Sequence, residues 1–353
     1  MKVVVVGAGI AGLAAAWELT RHGGSALTVL ESERRAGGVI VTEEVDGFLV
    51  EGGPDGFLAG EPELPALAQE LGIGDRIVGQ LARGTSVWTG EELAPIEEGR
   101  AAALLGIEAS QNEVAAGFRS FAGGMYEPVA ALAQQLGGVL RFAQGVAGLT
   151  RHGGGWKVAV TGGSAHEADA VVLTLPACSA GRLLEMVGVT HARVLERVVY
   201  VPSITVSLAY RTDQIGRPLH GAGFVVNPDA APIHLRACTY ASAKFPHRAP
   251  AGHILLRAYL PFVDIDPIAL AHTQLADILQ IRGVPLMSRA FYWRRGLPRY
   301  HARHDEQVAE VRRRLARLPP LAIAGAGYDG AGVSACVRSG RAAGRLIAQL
   351  APR

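Results

Sequence analysis

An α/β fold organised around a dinucleotide-binding unit is what this sequence predicts, on three observations near its start. Lys2-Val3-Val4-Val5-Val6 suits a strand buried on both faces. It runs directly into Gly7-Ala8-Gly9-Ile10-Ala11-Gly12, the G-x-G-x-x-G spacing. A second strand, Leu27-Thr28-Val29-Leu30, then ends in Glu31, nineteen residues past Gly12. The three glycines do different things. Gly7 permits the tight turn, Gly9 admits a pyrophosphate to the backbone, and Gly12 lets the helix pack close to the sheet. The helix N-terminus faces the negative charge, and a carboxylate at Glu31 suits ribose hydroxyls while repelling a 2′-phosphate.

The intervening helix carries Leu13, Trp17 and Leu19, places Arg21 and His22 in its last turn, and stops at Gly23. A secretory signal is the competing interpretation of a lysine, an apolar stretch and Ala14-Ala15-Ala16. It leaves Glu31 unexplained and needs an apolar core broken by three glycines, so it is rejected. With 353 residues, 49% hydrophobic and 19% charged, the chain is a globular protein of two domains. No uncharged apolar run is long enough to span a bilayer. Cys178, Cys238 and Cys336 are widely separated and form neither a metal-ligand pair nor a C-x-x-C, which favours a reducing cytoplasm.

The remaining elements follow from periodicity. Residues 61–72 read as a short helix with Pro62 in its first turn and Leu64, Leu67 and Leu71 on one face. A second helix follows Gly123-Gly124-Met125, with Val129, Leu132 and Leu136 inward. Strands are expected at about 139–147, 155–161 and 168–174, with Gly153-Gly154-Gly155 as a hairpin turn and Pro176 closing the last. Alternation then predicts strands at 203–210, 222–227, 233–240 and 253–260, and a helix near 267–281. Val308, Val311, Leu315 and Leu318 form a helical stripe with acids before it and arginines after it, an ordinary solvated helix. Arg289 to Arg303 is not explained that way; an anionic ligand is one reading, and nucleic acid is disfavoured. A strand from Leu321 to Ala324 and a C-terminal helix close the chain.

Behind Glu31 come Arg35, Gly37 and Gly38, the pattern E-x-x-x-R-x-G-G, where a nicotinamide dehydrogenase would continue with another crossover. This arrangement resembles the amine-oxidase-like flavoprotein superfamily. Four stretches are similar to one branch of it, the protoporphyrinogen/coproporphyrinogen oxidases. They are Gly53-Pro54-Asp55-Gly56-Phe57; Cys238-Thr239-Tyr240 through Lys244-Phe245-Pro246-His247-Arg248 to Arg257-Ala258-Tyr259; Trp293 with Pro298, Tyr300 and His304; and Gly325 through Cys336, ending Ser339-Gly340-Arg341.

The resemblance implies a Rossmann-like FAD-binding domain of the amine-oxidase/glutathione-reductase type, assembled from 1–84, 118–176 and 294–353. A discontinuous mixed-sheet α+β substrate domain would occupy 177–293. It implies FAD held non-covalently by Gly7, Ala8, Gly9, Ile10, Ala11, Gly12, Glu31, Arg35, Gly38, Gly53, Pro54, Asp55, Gly56, Val146, Trp293, Ala331, Gly332 and Val333. The flavin would carry the chemistry with no catalytic side chain, oxidising a porphyrinogen in haem biosynthesis with dioxygen as acceptor. Lys244, His247, Arg248 and Arg257, with Arg299 behind them, would meet the propionates. For Arg248 the alternative is a solvent-exposed loop residue, and for His247 a structural hydrogen bond; Tyr259 and Tyr300 either line the flavin or belong to the core. No nucleic-acid, metal or transmembrane role is implied; a peripheral membrane or downstream haem-pathway enzyme contact is. Oxidation of a different substrate, and a non-catalytic FAD protein or porphyrin carrier, remain alternatives.

The sequence departs from the family at one place above all. A long helical insert is expected between Trp88 and Phe118, and only Thr89 to Gly117 stand there, acidic at Glu91, Glu92, Glu97 and Glu98. Residues 85–117 are therefore expected to be a remnant of the helical substrate region. Smaller departures are Gly56 for a serine and Ser334-Ala335 for Pro-Asp.

Overall fold

The computed structural model describes residues 1–23, 25–104, 116–230 and 233–350. Its first layer is a five-stranded parallel sheet in the order Leu140–Arg141, Ala26–Leu30, Lys2–Val6, Ala170–Leu173, Leu321–Ile323. Successive side chains of a strand point to opposite faces, and here both faces are buried. Val3 and Val5 enter one core, with Leu13, Leu64, Leu67, Val129, Leu132 and Val337. Val4 and Val6 enter another, with Leu149, Trp156, Leu184, Val308, Val311 and Leu315. The first core is closed by the helices Ile10–His22, Glu63–Glu70, Glu127–Gln135 and Val333–Gln349. The second is closed by an antiparallel sheet, Val146–His152, Gly155–Val160 and Ala165–Ala168, and by the helices Ala177–Met186 and His304–Leu315.

The second layer is a mixed seven-stranded sheet ordered Met287–Arg299, Val199–Arg211, His253–Leu260, Ala237–Tyr240, Gly223–Val226, Thr85–Trp88, Leu93–Ile96. The helix Pro267–Leu279 covers one face through Ala271, Leu275 and Ile278. The other face turns toward the first domain. The helix Glu98–Leu104 sits over its far end, with Ala101 buried against Val225 and Ala237.

Several expectations change here. The single strand expected at 168–174 is two, because Asp169 kinks the chain: its backbone N–H donates to Lys2 O at 2.8 Å and its carboxylate accepts the Lys2 N–H at 2.6 Å. The arginine-rich stretch from 289 is largely a thirteen-residue edge strand, Met287–Arg299, with Arg289, Arg294, Arg295 and Arg299 exposed. Charges on an edge discourage pairing with another chain, which accounts for them without an anion. That strand pairs with Val199–Arg211 from Met287 to Arg299 across a bulge, so a domain boundary at 293/294 falls inside a hydrogen-bonded strand. The expected helical remnant at 85–117 supplies two strands of the second sheet and one short helix; residues 105–115 of it lie outside the described residues.

Candidate flavin and substrate site

The site is built first from glycines. Gly7 has φ +104°, and Thr174 Oγ1 donates to both Val6 O at 2.8 Å and Gly7 O at 3.0 Å, fixing the turn. A Cβ on Gly12 would stand 1.9 Å from Gly7 O. A Cβ on Gly9 would meet nothing within 4 Å, so the backbone there borders open space. Gly37 and Gly38 lie against this turn: Gly37 N–H donates to Ala8 O at 2.8 Å, and Gly9 and Gly37 form a bridge. Arg35 shapes the pair from behind, donating to Ala36 O, Ile40 O and Gly38 O. Glu31 is 9% exposed and accepts Ala8 N–H at 2.7 Å with one oxygen, Ser32 Oγ and Glu33 N–H with the other. Val146 is half-buried where its strand begins, close to Gln144, whose N–H donates to Glu31 O.

A second helix N-terminus enters the same region. Ala331 and Gly332 lead into the helix Val333–Gln349, which packs on Ile10–His22: a Cβ on Gly340 would stand 2.0 Å from Ala11 O, and one on Gly344 2.7 Å from Ala15 O. Gly9 and Gly332 are the two N-caps; neither helix has a capping side chain or an acid in its first turn. Ser334, in the first turn of the second helix, is fully buried with its hydroxyl unpartnered. Open backbone at Gly9, two uncapped helix N-termini and an orphaned hydroxyl fit an extended anionic cofactor.

The junction between the layers is built from charge. Gly52 O accepts from Thr205 Oγ1 at 2.8 Å, Trp293 Nε1 at 2.8 Å and Arg257 at 3.2 Å, and Arg257 also donates to Gly53 O. A Cβ on Gly53 would lie 1.7 Å from Val39 O, and one on Gly56 2.6 Å from Arg119 O, so glycine rather than serine at 56 is a packing requirement here. Asp55 pairs with Lys244 at 2.9 Å. Burial alone would raise the Asp55 carboxyl, but Lys244, Arg257 and Arg248 outweigh it and hold it below its ordinary value. Glu51 goes the other way: burial raises it, despite Thr42, the Met125 N–H, Arg248 and Arg257.

Two of the expected substrate cations are therefore corrected. Arg248 is 2% exposed and donates to Ser120 Oγ at 2.8 Å and Phe121 O at 3.0 Å, with Glu51 at 3.7 Å. It is neither a solvated loop residue nor placed to meet a ligand. Lys244 is held by Asp55 and lies over the Phe118 and Phe245 rings. His247 is exposed and bears a turn at φ +61°. Arg257 differs: it is 3% exposed, 4.9 Å from the centre of the Tyr259 ring, and its Nε has no partner. Thr205 and Ser120 went unnoticed in the sequence, where single hydroxyl residues carry no pattern.

Comparison with known proteins names the cofactor class. The sequence profile of the flavin containing amine oxidoreductases matches residues 10–95 and 81–348. The chain belongs to that family. It is accordingly a flavin oxidoreductase. Among curated relatives, the coproporphyrinogen III oxidase of Bacillus subtilis is 25% identical, covering 97% of this chain and 96% of the relative. That of Mycobacterium tuberculosis is 27% identical, covering 97% and 96%. The Bacillus alignment runs over 460 positions against the 353 residues here, so the relative has segments this chain lacks. A solved structure from Exiguobacterium sp. 255-15, named provisionally as a protoporphyrinogen oxidase, shares the fold at a TM-score of 0.85 and 24% identity, over 99% of this chain and 98% of that one. Among the described residues no helix is long and apolar enough to cross a membrane.

Proposed function

We propose that the protein is an FAD-dependent oxidase of a porphyrinogen, with coproporphyrinogen III the favoured substrate and dioxygen the terminal acceptor. The observation that carries this is near-full-length similarity to coproporphyrinogen III oxidases in a chain whose glycine cradle is intact. FAD would be held non-covalently, its pyrophosphate on Gly7 to Gly12 and Gly38, its ribose at Glu31 and its adenine beside Val146. Its flavin end would lie toward Gly53, Pro54, Trp293 and the Ala331-Gly332-Val333 helix start. When bound, the flavin supplies the two-electron acceptor for each oxidation of the macrocycle.

The chain's own part is to bind, orient and exclude water. The first layer, from 1–84, 118–176 and the chain beyond 300, would hold FAD, and the second sheet would hold the substrate. Strands Thr85–Trp88 and Leu93–Ile96 and the helix Glu98–Leu104 would bound the substrate side. With Lys244 and Arg248 engaged by the protein, the substrate carboxylate falls to Arg257, whose orphaned Nε faces no protein acceptor. Tyr259 beside it would form part of the slot for the ring.

The missing segments favour a second reading, oxidation of a smaller substrate on the same flavin. The deciding experiment is anaerobic mixing of FAD-loaded protein with coproporphyrinogen III, and separately with protoporphyrinogen IX. Flavin bleaching is expected on mixing, and porphyrin fluorescence once air is admitted, because a single flavin takes up only part of the electrons the macrocycle loses. Both should be faster with coproporphyrinogen and weaker as salt screens the carboxylates. No bleaching with either substrate transfers the site to the second reading.

A further inference from the structure

Tyr300 and His304 have no part in the chemistry proposed above, yet their surroundings give them one. The Tyr300 hydroxyl donates to Ala326 O. The His304 ring stacks on Tyr300 with centroids 4.5 Å apart and bonds the Tyr328 backbone. His304 opens the helix His304–Leu315, is 5% exposed, and has its Nε2 buried without a partner. About two turns along that helix, Arg312 grips Asp329 through two bonds of 2.8 and 2.6 Å. The Asp329 carboxylate also accepts Ser339 Oγ, which itself accepts Gly325 N–H at 2.8 Å, and Tyr328 Oη donates to Leu175 O at 3.0 Å. The helix thus meets the segment from Gly325 to Gly332 at Tyr328 and Asp329, and that segment ends at the N-cap of the helix Val333–Gln349.

We propose that Tyr300 and His304 are positioning residues: a stacked pair that sets Ala326 and Tyr328 so that this segment presents the helix N-terminus to the flavin. The inference rests on the FAD site proposed above. Its physical basis is range, since the field of a helix end falls off within its first turn and a small displacement of the segment forfeits it. His304 also makes the device sensitive to acid. Burial holds it below the ordinary histidine value with His301 acting in the same sense, while Asp305, the Tyr328 backbone and Asp329 oppose them. Besides Tyr300, the ionisable groups facing it are Asp305 on its own helix, His301 at 5.9 Å between ring centroids, and Asp329, which Arg312 neutralises. The folded arrangement therefore favours neutral His304. Its stability is fully present above the ordinary histidine value and is lost as pH falls through the depressed one.

The experiment measures FAD dissociation constants and flavin midpoint potentials for the full chain, Tyr300→Phe and His304→Gln, from about pH 8 to about pH 5. Amide exchange of residues 325–332 in flavin-free protein is followed alongside. Tyr300→Phe keeps the stack and loses one hydroxyl; FAD affinity should fall about five- to tenfold, the potential should shift, and exchange should quicken. His304→Gln removes both the stacked ring and the titrating group, so FAD affinity should fall at the alkaline end as in Tyr300→Phe and should depend less on pH below it. Unchanged affinity, potential, pH profile and exchange in both variants overturn the positioning role. A wild-type chain that takes up no FAD defeats the cofactor site instead, and the exchange arm still decides whether the pair positions the segment.

Discussion

Where the cradle around Gly7 to Gly12 is made of backbone and of side chains left out, the junction around Gly52 to Asp55 is made of buried charge. In the cradle, the close approaches run between main-chain atoms: 1.9 Å from a Gly12 Cβ to Gly7 O, 2.0 Å from a Gly340 Cβ to Ala11 O. At the junction, two carboxylates and three cations lie between the layers; Asp55, Glu51, Lys244 and Arg248 are engaged by protein groups, and Arg257 is held at Gly52 O with its Nε unpartnered. The cradle tolerates no added atom where it packs and leaves space where a ligand would lie. The junction tolerates no lost charge. The two regions should therefore fail in opposite ways when perturbed.

The largest effect expected is from Gly12→Ala. The new methyl would sit within 3.0 Å of the Gly7 carbonyl carbon as well as against its oxygen, and neither can move without breaking the strand-to-helix turn. Overpacking in a tight core costs about 1–3 kcal/mol when neighbours can yield; here the neighbour is backbone. Soluble folded protein should not be recovered, and a normal melting curve for Gly12→Ala would show the helix can stand off from the turn.

Next in size is Arg248→Met, which breaks the junction without adding bulk. It strands Glu51, Ser120 Oγ and Phe121 O, and removing one partner of a buried pair costs about 3–5 kcal/mol. The loss has a pH signature. Glu51 is raised above the ordinary glutamate value by burial, and Arg248 is one of the groups opposing that rise. Without Arg248 the carboxyl should rise further. A raised acid contributes its stability fully below its unfolded value and loses it as pH climbs through its folded value. Denaturant midpoints should show the penalty largest at neutral pH and shrinking on acidification. A penalty independent of pH would mean that Arg248 acts through packing alone.

The contrast also explains what was legible in the sequence. Strand, fingerprint, helix and Glu31 are local and repeat a spacing, so the parallel sheet and the cradle could be read directly. The valines of Lys2–Val6 even carry the two-faced burial in their composition. The junction depends on residues far apart in sequence. Lys244 meets Asp55 across 189 residues, and Arg248 meets Ser120 across 128. A basic residue in a proline-rich loop gives no sign whether its partner is a ligand or the protein itself. The strand Met287–Arg299 was hidden because an edge strand lacks alternation when charge protects it. Arg312 stands on the solvated face that periodicity gave it, 42% exposed, but its pairing with Asp329 is a tertiary contact that periodicity does not carry. The structural use of Ser339, Gly340 and Arg341 was likewise invisible: each anchors a different neighbour, Gly325, Ala11 and Glu18.

Gly9→Ala should have the smallest effect on the fold and so sharpens the comparison most. Gly9 has φ −67° and ψ 172°, extended backbone that alanine adopts without strain, and its Cβ would meet nothing within 4 Å. Alanine is a poorer N-cap than glycine, a cost of about 1 kcal/mol or less. The same methyl projects into the open space where the pyrophosphate is proposed to approach. The flavin-free melting temperature should therefore stay within a few degrees of wild type, while FAD no longer copurifies and titration gives no saturable binding. Gly9 and Gly12 are three residues apart, yet one variant would lose the ligand and keep the fold while the other loses both. Retained stoichiometric FAD in Gly9→Ala would place the pyrophosphate elsewhere and remove the reason for leaving that backbone open.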